Sequence, residues 1–269
     1  MTCDGSMATP VLLAIFAHPD DETFRCGGTL ALLARRGVRV HVLTATRGEA
    51  GSCGDPPLCR PDELPLVRER ELRCACAALG IEPPILLGYR DGTLADVDEE
   101  QGAADVLAAV RSLWPQALLT WPPHGLSGHP DHMAVSRWAM RAYYRATREG
   151  MQGPLAVYHL AVACSVAGQL GLEQLLAIPD DQIDVTVDVS VVWPEKMAAI
   201  RCHRTQWEET PILKAPLERQ WLFLGAEHFQ RAAAQRGQDP MPVWLGQARW
   251  NPAVSSDATG IRDLEERQS

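Results

Sequence analysis

No stretch of the 269-residue chain approaches the ~18 consecutive apolar residues of a membrane helix, so nothing in it reads as a span. The first ten residues hold no basic segment, and the apolar run after them ends in charged residues. A secretory leader is not expected, and the protein is expected in the cytoplasm. Met7 offers an alternative start. A surplus of positive charge is missing too: 25 Lys and Arg stand against 34 Asp and Glu, a net charge of −9. Nucleic acid needs a basic face, so it is not an expected partner. The eight cysteines form no paired C-x-x-C knuckles. A chain this long needs no staples, so they read as free thiols in a reducing compartment, with Cys53 and Cys59 the pair best placed to interact. There is no internal repeat and no linker. One domain over residues 1–269 is expected, with its core at about 10–230 and an irregular tail after Gly237.

What is present is ordinary globular composition, 46% apolar and 22% charged, patterned as alternating strands and helices. Val11 to Ala17 is continuously apolar and reads as a central parallel strand. Thr29 to Arg36 reads as a helix closed by Gly37, and Val38 to Thr44 as the next strand; His41 is read as an ordinary strand residue. Arg47 to Pro65 is a long loop rich in Gly, Pro and Cys. Leu64 to Leu79 predicts a helix ending at Gly80, Ile85 to Leu87 a short strand, and Tyr89 to Gly92 a turn. Asp105 to Trp114 predicts a helix and Ala117 to Thr120 a buried strand. After the loop Trp121 to Gly128, the pattern predicts a helix over His129 to Arg148 with Pro130 in its first turn. Leu155 to Leu160 and Ile183 to Val189 read as later strands; the second alternates and belongs at an edge or on a half-exposed sheet. Glu195 to His203 predicts another helix. The fold class is α/β: a mostly parallel sheet flanked by helices.

Chemistry concentrates in two clusters. Ala17-His18-Pro19-Asp20-Asp21-Glu22 follows the first strand, and Gly128-His129-Pro130-Asp131-His132 follows the strand Ala117 to Thr120. Parallel strands put their carboxyl ends on one side, where open α/β sheets bind ligands. Two imidazoles and one carboxylate, from His18, His132 and an Asp of the first cluster, would hold a catalytic metal and leave one position for water. The residues alone do not decide between Asp20 and Asp21. The other carboxylate could take a proton from metal-bound water, whose pKa falls to about 7. His129 could protonate a leaving amine or hydrogen-bond an oxyanion, with Asp131 fixing its tautomer. Gly27-Gly28 at a strand–helix junction also suggests a nucleotide-binding domain, though a full G-x-G-x-x-G is absent. A non-catalytic sugar- or metal-binding protein is a third reading; it would need neither Asp20 nor His129.

These two motifs resemble those of the PIG-L/LmbE family of zinc-dependent N-acetylglucosaminyl deacetylases. Weaker matches are Thr46 to Gly51, Arg68 with Glu71-Leu72, Asp91-Gly92, and Lys196 through His203 to Gln206. The resemblance implies a Rossmann-like fold with a few extra C-terminal strands. It implies zinc, or another divalent metal, on His18, Asp21 and His132, with Asp20 as the base and His129 backed by Asp131. It puts Arg68, Glu49 and Asp91 at positions that contact the sugar or line its pocket. The implied reaction removes acetyl from an N-acetylglucosamine-type conjugate; the nearest alternative is an amidase cleaving a larger acyl group. The implied partner is a small amino-sugar substrate, and a homo-oligomer is compatible with it. Several relatives carry Tyr where this chain has Ser127, two residues before His129.

Overall fold

The computed structural model describes residues 9–207, 210–235 and 238–246. β1 (Val11–Phe16) runs into two helices, α1 (Asp21–Phe24) and α2 (Gly27–Arg35), before β2 (Arg39–Thr46). A loop leads to α3 (Leu64–Leu79), β3 (Ile85–Tyr89), α4 (Glu99–Leu113) and β4 (Ala117–Thr120). The one-turn α5 (Gly125–Gly128) precedes the long α6 (Pro130–Arg148) and β5 (Ala156–Ala161). Then come α7 (Cys164–Leu170), β6 (Val185–Asp188), α8 (Trp193–Cys202), α9 (Pro211–Lys214), α10 (Leu217–Leu224), β7 (Ala226–Ala234) and α11 (Pro240–Leu245).

The seven strands form one sheet in the order β3-β2-β1-β4-β5-β7-β6. The first five are parallel, and β7 runs antiparallel to both β5 and β6. β1 is apolar throughout because both of its faces are covered. Leu12, Ala14 and Phe16 pack with Leu30 and Leu33 of α2, Leu72 of α3 and Ala199 of α8. Leu13 and Ile15 pack on the other face with Val106 and Val110 of α4 and Trp138 of α6. From β1 the chain winds outward through β2 to β3, then returns to add β4 on the opposite side. The crevice of such a sheet lies where the winding reverses, between β1 and β4. Both sequence clusters leave the sheet there.

Most expected elements are present. α3 has the expected bounds and ends on Gly80 in the left-handed region. β6 alternates buried Val185 and Val187 with half-buried Thr186 and Asp188, and lies at the sheet edge. Three expectations need correction. α4 begins at Glu99 instead of Asp105, because the Asp98 carboxylate accepts the Gln101 N–H at 2.9 Å and caps a turn further back. Part of the region after Gly237 is α11, whose Met241 is fully buried; residues 247–269 lie outside the described residues. The reading of all cysteines as free thiols is overturned: Cys74 of α3 and Cys202 of α8 form a disulfide. The two helices pack side by side, which brings the Cα atoms to 5.8 Å across 128 residues of sequence that carry no local motif. Cys53 and Cys59 remain thiols.

β7 was not legible as a strand, because Glu227, His228, Gln230 and Arg231 mask its pattern. Glu227 is fully buried and is an internal ligand. It accepts the N–H groups of Gly28 (2.9 Å) and Thr29 (2.6 Å) at the start of α2, and Lys196 Nζ at 2.6 Å. A Cβ on Gly28 would come within 2.5 Å of Val189. The N-terminus of α2 is thus filled by the protein's own carboxylate and offers no phosphate site, which removes the basis of the nucleotide reading.

Two buried histidines set the acid limit. His159 of β5 and His228 of β7 each leave Nε2 without a partner, and burial pushes both pKa values down to about 4. The unfolded chain titrates near ~6.5, so it binds protons first. Their contribution is fully present above that pH and is lost as pH falls toward 4, up to about 3 kcal/mol each. Denaturant midpoints are expected to drop steadily between pH 7 and 4.5, and His159→Leu to flatten the slope.

Candidate metal and catalytic centre

His18 is the second residue after β1. Pro19 and Asp20 then turn the chain so that α1 folds back over the strand end. Asp20 adopts φ +109, a left-handed conformation that costs a non-glycine residue about 1 kcal/mol or more. It is held there by its own N–H, which donates to Glu22 Oε2 at 3.0 Å. Glu22 is fully buried, and its other oxygen meets His203 Nε2 at 2.7 Å. Burial works against charge on His203, but Glu22 outweighs it and raises that pKa.

Asp21 Oδ2 accepts three N–H groups: Ala17 N at 3.1 Å, His18 N at 2.9 Å and Trp121 Nε1 at 3.3 Å. Its Oδ1 lies 3.5 Å from His132 Nε2. Burial alone would raise the Asp21 pKa; His132 and His18 reverse that and keep the carboxylate ionised. His132 sits on the first turn of α6, where its ring stacks on the Trp121 indole, centroids 3.9 Å apart and planes 4° from parallel. The neighbouring Pro130 needs no N–H at the helix start.

The hydrogen bonds fix which nitrogen of each ring carries its proton. His18 Nε2 faces two carboxylates, Asp91 Oδ1 at 3.0 Å and Asp131 Oδ2 at 3.2 Å, so in the neutral ring Nδ1 is bare. His132 Nδ1 meets the Gly125 carbonyl at 3.2 Å, which leaves Nε2 bare. These two bare nitrogens face each other at 3.3 Å, beside an ionised carboxylate. Converging lone pairs repel unless a metal ion or a proton lies between them. Neighbouring ligands of a four-coordinate zinc with ~2.0–2.1 Å bonds are separated by about 3.3 Å. The set His18, Asp21 and His132 therefore fits a metal ion. The second carboxylates on His18 are the partners expected behind a metal-bound imidazole. Without a metal, burial would lower the His18 pKa, but Asp131 and Asp91 outweigh it and push it up to about 10. That surplus negative charge suits a cation on Nδ1.

Asp20 borders the same point from the other side. Arg68, only 3% exposed, donates to its Oδ2 at 3.0 Å and to the carbonyls of Pro19 and Gly48. Gly48 has φ +70, and a Cβ there would strike the Arg68 guanidinium at 2.3 Å, so the loop after β2 needs glycine to admit it. Burial raises the Asp20 pKa to about 6 in spite of Arg68. His129 caps α6, its Nδ1 accepting the Asp131 N–H at 3.2 Å, and its ring stacks on His132. Burial, then His132 and His18, lower its pKa. With Nδ1 accepting, the neutral ring offers Nε2–H outward as a donor.

The geometry gives structural work to three of the residues expected from the sequence. The Asp131 carboxylate turns away from His129: it holds His18 and the N–H groups of Gly92 (2.8 Å) and Leu94 (3.0 Å). Asp91 lines the cleft and also braces the His18 ring, with one oxygen on His18 and the other on the Ala50 N–H at 3.0 Å. Glu49 accepts the Asp91 N–H at 3.0 Å and supports that brace. Arg68 does border the cleft, but its bonded groups position Asp20. Trp121, Glu22 and His203 were missed as site residues. Glu22 lay inside the first motif, and Trp121 directly after a buried strand. Ser127 is exposed, and Tyr89 points away, its hydroxyl on Asp105 and its ring against Trp138.

A cleft of about 320 Å³ opens over these groups, lined by His18, Asp20, Arg68, Asp91, His129 and Gln206 among others. A second, of about 280 Å³, reaches Asp20, Asp21 and His132 from the side of α5. A site of this kind, at the crevice of a mostly parallel sheet, defines a metal-dependent hydrolase. The family model described as GlcNAc-PI de-N-acetylase (PIG-L) matches residues 13–143. The 1D-myo-inositol 2-acetamido-2-deoxy-alpha-D-glucopyranoside deacetylase of Salinispora arenicola is 33% identical over 272 residues, 86% of this chain and 87% of that one. A probable N-acetyl-alpha-D-glucosaminyl L-malate deacetylase 2 of Bacillus cereus is 34% identical over 199 residues, 73% and 84% of the two chains. Among solved structures, the conserved protein TT1542 of Thermus thermophilus shares the fold, with a TM-score of 0.61 and 27% identity over 85% of this chain and 97% of that one. The chain belongs to the PIG-L family and is a deacetylase, a hydrolase of a carbon–nitrogen amide bond. Among the described residues no helix is long and apolar enough to cross a membrane.

Proposed function

We propose that the protein hydrolyses the N-acetyl group of an N-acetylglucosamine unit joined to a small polar aglycone, such as a polyol or hydroxy acid, with zinc on His18, Asp21 and His132. The observation that carries the reading is the pair of bare ring nitrogens 3.3 Å apart beside Asp21, with Asp20 bordering the same cleft. Two imidazoles, one carboxylate and an open position form a catalytic zinc set. When bound, such a metal polarises the amide carbonyl and makes water acidic near neutral pH.

The rest is the work of the chain. Asp20, ionised at neutral pH and oriented by Arg68, accepts a proton from the water that attacks the carbonyl carbon. The charge that grows on oxygen is met by His129 Nε2–H. His129 is a poor proton donor, because losing Nε2–H while Nδ1 accepts a backbone N–H would leave an imidazolate. Asp20 therefore returns the proton to the departing nitrogen, which releases acetate and the free amine. Arg68, Gln206 and backbone amides of the loop after β2 supply the polar wall a sugar needs.

The test is a deacetylation screen over N-acetylglucosaminyl inositol, malate and glycopeptide substrates, run beside metal analysis. About one divalent ion per chain and release of acetate from one of them are expected. His18→Ala and His132→Ala should each lose the ion. Full metal content in both variants would remove the proposed site.

A further inference from the structure

Trp121 is the first residue after β4 and stands at the crevice where β4 meets β1. It is buried, with 6% of its surface exposed. This one side chain touches two of the three residues of the proposed metal set, and those two lie 111 positions apart in the chain. Its Nε1–H donates to Asp21 Oδ2 at 3.3 Å, and its ring lies over the His132 imidazole with the centroids 3.9 Å apart. The Phe16 ring, at the end of β1, meets the indole at 70° with the centroids 5.9 Å apart and braces it. Trp121 itself offers no atom that could ligate a cation, since an indole nitrogen is a donor only.

Each contact favours the loaded site in its own way. A carboxylate has two equivalent oxygens. Trp121 joins the backbone N–H groups of Ala17 and His18 in holding Oδ2, which leaves Oδ1, 3.5 Å from His132 Nε2, as the oxygen facing the cation position. The stack acts through charge. Two uncharged aromatic rings gain little from lying face to face, because both faces are electron-rich. A metal ion on Nε2 draws electron density out of the imidazole, and a ring carrying positive charge is attracted to the face of an indole. The stack therefore strengthens when the metal binds. A contact that differs between the loaded and empty states is what shifts the balance between them.

We infer that Trp121 is a positioning residue of the metal centre, and that its indole raises the affinity for a divalent ion by holding Asp21 in register and by stacking on His132. This rests on the metal set proposed above. The task is separate from that of Asp91 and Asp131, which act on the His18 ring. Removing a partner that stands behind a metal ligand costs ~10–100-fold in metal affinity.

The experiment compares the parent with Trp121→Phe, which keeps a ring on His132 and loses the N–H, and with Trp121→Leu, which loses both. Zinc-loaded full-length protein is titrated with a chromophoric zinc chelator to give the Kd for zinc, and loaded and stripped samples are melted. A Kd higher by about tenfold in Trp121→Phe and by on the order of 10²-fold in Trp121→Leu is expected. The gain in melting temperature on loading should shrink in the same order, because a ligand stabilises the fold according to its affinity. A packing role alone would lower the melting temperatures of loaded and stripped protein alike and leave Kd at the parent's value. That result overturns the inference and leaves the metal set standing, and Trp121→Phe decides it if Trp121→Leu does not fold. A parent that binds no zinc overturns the metal set itself, and the inference with it.

Discussion

Replacing Asp20 with Asn lowers kcat by about 10³-fold, while metal content and KM change little. General acid–base catalysis contributes ~10²–10⁴-fold, and in the proposed mechanism Asp20 serves as base and then as acid in the same turnover. Asn keeps the shape and can still accept the Arg68 hydrogen bond, so the strained turn at φ +109 survives. It cannot hold the water's proton. Single-turnover kinetics with metal analysis on one sample checks this. A variant that has lost its metal would make Asp20 a ligand, and one with near-normal kcat would end its role as base.

Lys196→Ala destabilises the fold by about 3–5 kcal/mol, with a melting temperature lower by about 10 °C. Lys196 and Glu227 are both fully buried, 2.6 Å apart, with Lys196 Nζ also on the Leu224 carbonyl. Truncating the lysine leaves a carboxylate in the core with two N–H groups of α2 bonded to it and Arg25 as the remaining nearby cation. An uncompensated buried charge is the costly state; the intact pair is close to neutral against an apolar core. The double variant Lys196→Met, Glu227→Gln, which leaves no charge, should recover part of the loss. A single variant melting within about 2 °C of the parent would show that the pair carries none of this.

The parallel half of the sheet and the centre beside it were readable for a common reason. A strand buried on both faces is a run of apolar residues, and β1 and β4 are such runs. A motif at the end of each run needed only the parallel geometry to meet its counterpart. The braces behind the metal set were not readable. Asp91, in the loop after β3, and Asp131, in the first turn of α6, converge on one imidazole nitrogen, and no spacing in the chain encodes that. Asp131 looked like the partner of His129 because the two are close in sequence; helix geometry sends its carboxylate the other way. β7 was hidden because Glu227 does an internal task that makes a core strand look polar. The disulfide was hidden because helix packing, not sequence spacing, pairs Cys74 with Cys202.

The insertion of β7 between β5 and β6 has a consequence for synthesis. As the polypeptide leaves the ribosome, the five parallel strands emerge first and can assemble, but β5 then keeps one bare edge. β6 emerges earlier than β7 yet has no place to dock, since β7 is its neighbour in the sheet. Until residues 226–234 are out, α2 also lacks the carboxylate that caps it. A nascent chain stalled before that point presents an open edge to other chains, and is the form a holdase would retain.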